Sequence, residues 1–148
     1  MKRQLSLTAA ILIVSALFAL NANAQTSAPQ KIRANIPFAF NVGDKTLPAG
    51  VYTLSVINPS SDRKVVQIRS ADGRASAIVQ TTQISGSLAD DAKLVFRRYG
   101  DRYFFAQVEL AGDATKLVAA RSRAERSTQR STRRPIKHSA ETTTIAAF

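Results

Sequence analysis

The chain has no cysteine, no tryptophan, one histidine and six glycines in 148 residues. Without cysteine there are no disulfides, no thiolate metal sites and no lipid-modified cysteine of the bacterial lipoprotein kind. The one histidine, His138, lies in a stretch whose composition reads as disordered. A Ser–His pair or a histidine-based metal centre therefore cannot be assembled on a rigid core. The glycines form neither a phosphate-cradling loop nor a dinucleotide fingerprint, so no cofactor is expected. Acidic residues are also scarce, 10 against 21 lysines and arginines, for a net charge of +11.

What is present begins with a segment built for export. Lys2 and Arg3 precede an apolar run over residues 5–20, and Ala22-Asn23-Ala24 supplies the small-x-small pattern of a signal peptidase site. Residues 1–24 are expected to be a signal peptide cut between Ala24 and Gln25, with residues 25–30 a polar linker. The run is shorter than the roughly 20 apolar residues of a spanning helix, so no transmembrane helix is expected in the mature chain. The product is expected to be periplasmic or secreted. Removing 24 of 148 residues leaves 124, enough for one domain with a single core.

From residue 32 the apolar side chains fall on every second position: Ile32, Ala34, Ile36, Phe38, Phe40 and Val42. That is the period of a half-buried strand, and Pro37, which cannot donate to a ladder, puts it at an edge or a bulge. Turn residues then separate further strands at 51–58, 64–70, 75–84, 93–99, 102–110 and 115–120. Gly100-Asp101 suits a type II′ hairpin, which would set Arg98 opposite Tyr103, Arg97 opposite Phe104, Phe96 opposite Phe105 and Val95 opposite Ala106. About seven short strands without an amphipathic helix predict an all-β domain over residues 31–120, a small antiparallel sandwich or barrel.

After residue 120 the composition changes. Ser122 and Glu125 have capping-box spacing, which predicts about one helical turn. Arg126, Arg130, Arg133 and Arg134 then repel one another without an apolar face. Residues 121–148 are expected to be a basic, mostly disordered tail, disordered from about Ser127.

Four strings in this order resemble a family of small, exported, β-rich bacterial proteins to which no activity is assigned: IPFAFNVG at 36–43, LPAGVY at 47–52, KLVFRRYGDRYF at 93–104 and SRAER at 122–126. The resemblance implies export and a β-fold, and it carries over no catalytic residue.

Chemistry-bearing residues are few. Asp44, Asp62, Asp72, Asp101 and Asp113 sit in turn signatures, where aspartate bonds its own backbone. Asp90, Asp91 and Glu109 remain, and nothing in their spacing selects a general acid–base pair or a calcium loop. A non-enzymatic binding or structural module is expected, without a metal. Its candidate contacts with anionic ligands are Arg97, Arg98, Tyr103 and Phe104 on the hairpin and Arg126, Arg130, Arg133 and Arg134 in the tail. The partners these imply are anionic lipid or polysaccharide of the cell envelope, or an envelope protein. Two other readings compete: an outer-membrane β-barrel, suggested by alternation of Thr142, Thr144 and Ala146 before Phe148, and a glycan-binding module using the arginine–aromatic hairpin. Export sets nucleic acid aside as a physiological partner, although the basic tail is expected to bind DNA non-specifically at low salt.

Overall fold

A computed structural model of the chain describes residues 31–132 and 141–148. The signal segment, Ala24 and Gln25, the linker, Arg133, Arg134 and His138 lie outside the described residues. Among those described there are ten strands and one helix: β1 (Lys31–Ile36), β2 (Phe40–Val42), β3 (Lys45–Leu47), β4 (Gly50–Val56), β5 (Arg63–Ser70), β6 (Ser76–Ser85), β7 (Lys93–Tyr99), β8 (Arg102–Glu109), β9 (Thr115–Ala119), α1 (Arg123–Thr132) and β10 (Glu141–Ala146).

All ten strands belong to one open sheet in the order β1-β4-β5-β6-β9-β8-β2-β3, with β7 branching from β8 and β10 pairing with β7. The pairing is antiparallel except for β2 beside β8, where Phe40 faces Tyr103 and Asn41 faces Phe104 in parallel. The sheet curls until its ends meet at one residue pair, Arg33 N–H to Phe148 O at 2.7 Å and Phe148 N–H to Arg33 O at 2.8 Å. No described helix is long and apolar enough to cross a membrane.

Alternation along the strands decides what fills the concave side. Ile32, Ala34 and Ile36 of β1, Tyr52, Leu54 and Val56 of β4, and Val66 and Ile68 of β5 all point inward and are buried. Phe40 links two other rings of the aromatic core. Its ring meets Tyr52 edge-on at 5.1 Å and Phe96 at 5.4 Å, and Phe96 meets Phe105 at 6.1 Å. Such pairs contribute about 0.5–1.5 kcal/mol each beyond the area they bury. The outward positions of β1, by contrast, are Lys31, Arg33 and Asn35.

The all-β class is as the sequence predicts, while four details differ. The single strand expected over residues 32–42 is two, because Pro37 interrupts the ladder and lets the chain pass from β4's edge to β8's. The turn region after it holds β3. The hairpin keeps the predicted register from Phe96 to Tyr99, but a bulge between Val95 and Phe96 sets Val95 opposite Gln107 rather than Ala106. It coincides with three consecutive buried residues on β8, Phe104, Phe105 and Ala106.

The fourth difference is the tail. Its helix runs ten residues instead of one turn, because polar contacts from the sheet replace the missing apolar face. Residues 141–146 form a strand rather than a disordered end. The β-branched run Thr142, Thr143, Thr144 and Ile145 suits a strand, and β7 offers it a free ladder edge. Thr143 and Ile145 then face inward beside Phe96 and Leu94.

Candidate functional site

The tail helix and the β7–β8 hairpin together make the most elaborate polar cluster among the described residues. Ser122 caps α1, its Oγ accepting the Glu125 N–H at 3.1 Å. Asp44, from the β2–β3 turn, accepts the Ala124 N–H at 3.1 Å and adds negative charge where the helix dipole is positive. A capping-box glutamate would turn back to its own cap. Here Glu125 turns to the sheet. Its Oε1 accepts from Arg97 Nε at 2.5 Å and from the Tyr99 hydroxyl at 3.1 Å, and its Oε2 accepts from Arg97 Nη2 at 3.0 Å. The Glu125 side chain is 2% exposed and that of Arg97 16%. One turn later, Thr128 Oγ1 accepts from Arg102 Nη1 at 2.8 Å.

Beneath these contacts Phe104 and Tyr99 pack edge-on at 5.8 Å, and the Arg102 guanidinium lies 5.6 Å from the Phe104 ring centre. Burial pushes the Tyr99 phenol above its ordinary value, and the neighbouring Glu125 carboxylate pushes it further in the same direction.

The sequence-predicted contacts therefore divide. Phe104 is 2% exposed, so it offers no platform to a sugar ring, and Arg97 spends its guanidinium on Glu125 and the Ala119 carbonyl. Helix α1 covers that face of the hairpin. Arg98 and Tyr103 occupy the opposite face, as predicted. The Arg98 guanidinium lies 5.6 Å from the Tyr103 ring centre, and Tyr103 stacks on Phe38 at 3.9 Å. Arg98 also donates to the Gly100 carbonyl and to Glu141. Arg126 and Arg130 remain exposed on α1, joined by Arg123 on the same stripe at spacings of three and four. Among the described residues none of these three has a carboxylate within salt-bridge distance.

The carboxylates are mostly committed. Glu109 accepts from Lys116 Nζ at 2.9 Å and from Gln107. Asp72 accepts from the Ser70 hydroxyl and the Arg74 amide, which hold its carboxyl below the usual range. Asp113 accepts the Thr115 N–H, as a turn aspartate does. No three acidic or histidine side chains converge as metal ligands among the described residues.

Sequence reasoning missed two things here. It read Glu125 as the second half of a capping box, whereas the Glu125 carboxylate turns to the sheet and fastens the helix. It also missed a polar groove over β1, β4 and β5, lined by Lys31, Thr53, Ser55, Gln67, Arg69 and Ser70. Strand alternation marks all but Ser70 as outward residues, but only the register brings them together. Comparison with protein-family models, with curated proteins and with solved structures finds no match.

Proposed function

We propose that this chain is an exported, non-enzymatic binding module of the cell envelope, periplasmic or secreted, that contacts anionic envelope polymers through α1. The observation that carries this reading is the arginine stripe Arg123, Arg126 and Arg130, exposed on a helix whose other side is fastened by Glu125 and Thr128. Like charges on one helix face repel, and an anionic partner relieves that repulsion. Because the helix is fixed, binding orders only the side chains, not the backbone. The export signal read at residues 1–24 and the resemblance to exported bacterial proteins supply the compartment. Envelope polysaccharide and anionic lipid headgroups are the polyanions available there.

Each arginine near an anionic surface contributes about 1 kcal/mol, falling off over a Debye length of about 8 Å at physiological salt. The test is co-sedimentation with phosphatidylglycerol vesicles and retention on an acidic polysaccharide, each across a salt series. Replacing Arg123, Arg126 and Arg130 together with serine is expected to lower binding about 100-fold, in line with roughly three such contributions. Undiminished binding by the triple variant would overturn the reading.

A further inference from the structure

The second positively charged region lies on the outer face of β1, β4 and β5, and strand register explains its shape. Two rows cross these strands: Lys31–Ser55–Gln67 and Arg33–Thr53–Arg69. In both rows the short hydroxyl side chain stands on the central strand, between longer ones on its neighbours. The outcome is a trough with Thr53 and Ser55 as its floor and Lys31, Gln67 and Arg69 among its walls, closed at one end by the turn around Ser70 and Gly73. Arg33 stands beside Thr53 at the rim. Adjacent strands are about 4.8 Å apart, so Arg33 and Arg69 rise about 10 Å from each other on either side of Thr53.

Two cations, Lys31 and Arg69, line the trough and Arg33 stands on the adjoining row, and among the described residues none of the three has a side-chain carboxylate within salt-bridge distance. The one acid in the trough, Asp72, is held by Ser70 and by the Arg74 backbone amide, with the Arg74 side chain 3.9 Å away. The charge of the trough is therefore left for a ligand. Its volume of about 450 Å³ falls within the range of small-ligand sites, about 300–1,000 Å³. The lining named above holds hydroxyls, a carboxamide and cations with no aromatic ring, so the matching ligand is hydroxylated and anionic rather than apolar.

We propose that this trough binds a carboxylate-bearing sugar unit, with Lys31 and Arg69 holding the carboxylate, Arg33 adding positive charge from the rim, and Thr53, Ser55 and Gln67 hydrogen-bonding the hydroxyls. The proposal depends neither on the α1 stripe nor on export. A single such unit binds weakly, and a polymer of them binds tightly through repetition.

The test is amide chemical-shift titration of the isotope-labelled chain at physiological salt with a galacturonic acid trimer, a neutral galactose trimer and inorganic phosphate. The acidic trimer is expected to give saturating shifts at Thr53, Ser55, Gln67 and Arg69, and the neutral trimer none. Arg69→Ser and Lys31→Ser, both at exposed positions, are each expected to weaken the acidic trimer about tenfold while leaving the rest of the spectrum native. Arg126→Ser, which alters the other basic surface, is expected to leave the titration unchanged. Equal shifts with the neutral trimer, the same response to phosphate, or shifts confined to α1 would each overturn the assignment.

Discussion

Arg97 on β7 and Glu125 on α1, 28 residues apart in sequence, meet through two parallel N–H to O bonds at 2.5 and 3.0 Å, with the carboxylate almost wholly buried. Pairing in this fork geometry gives direction as well as attraction. Removing Arg97 takes the closest cation from the buried Glu125 carboxylate and leaves it the Tyr99 hydroxyl and the Arg121 Nε at 3.8 Å, which costs up to about 3–5 kcal/mol. Arg97→Ala is therefore expected to lower unfolding free energy in urea by about that amount. Replacing both residues with apolar ones of similar volume removes the stranded charge, so the double variant should recover most of the loss. A double variant as unstable as Arg97→Ala would show that the loss does not come from a stranded charge.

Tyr99 and Tyr52 both have phenols pushed up, in each case first by burial and then by a carboxylate, Glu125 for Tyr99 and Asp72 for Tyr52. A raised value in the folded state means that the fold holds the neutral phenol more tightly than the unfolded chain does. The stability this contributes is whole below about pH 10, the unfolded value, and is lost as pH rises through the folded value. Phenolate absorbance should therefore appear later in the native chain than in the urea-unfolded one. Tyr99→Phe should also reduce the decline in stability above that pH.

Gly100 takes φ +58° at the first position of the hairpin loop, and a Cβ there would have no atom within 4 Å. Space is therefore not the constraint; backbone sterics are. Gly100→Ala is expected to cost about 1–2 kcal/mol, and Gly100→Asn less, because asparagine tolerates the left-handed region better. Thermal denaturation would resolve this, since each kcal/mol shifts the midpoint by about 4–8 °C in a domain of this size.

The parts of the fold that local patterning controls were legible. Alternation placed Ile32, Ala34 and Ile36 inside, and Gly100-Asp101 set the register that puts Arg97 opposite Phe104. Residues of the strings at 36–43, 47–52, 93–104 and 122–126 also meet in space. Phe40, Tyr52 and Phe96 share the core, and Arg97, Tyr99 and Glu125 share the helix clasp. What escaped depends on partners distant in sequence. A helix as polar as α1 has little local reason to persist, and it is held by Arg97, Tyr99 and Arg102, residues that precede their partners Glu125 and Thr128 by 26–28 positions. The trough escaped for the same reason: Lys31, Ser55 and Gln67 become neighbours only when three strands align.

The strand at Glu141–Ala146 shows the same dependence and gives the sharpest test of the tail. It brings few buried atoms, with only Thr143 and Ile145 half-buried on its inner face, so the ladder with β7 supplies much of its stability. In the full chain the β7 amides that point toward β10 should be protected from hydrogen exchange. Removing residues 133–148 strips that edge and uncovers Leu94 and Phe96 on one side. An unpaired edge beside apolar side chains invites a second copy to pair there. The truncated chain is expected to lose protection at every second amide of β7 and to self-associate in a concentration-dependent way. Unchanged exchange at β7 after truncation would mean that β10 does not occupy that edge in solution.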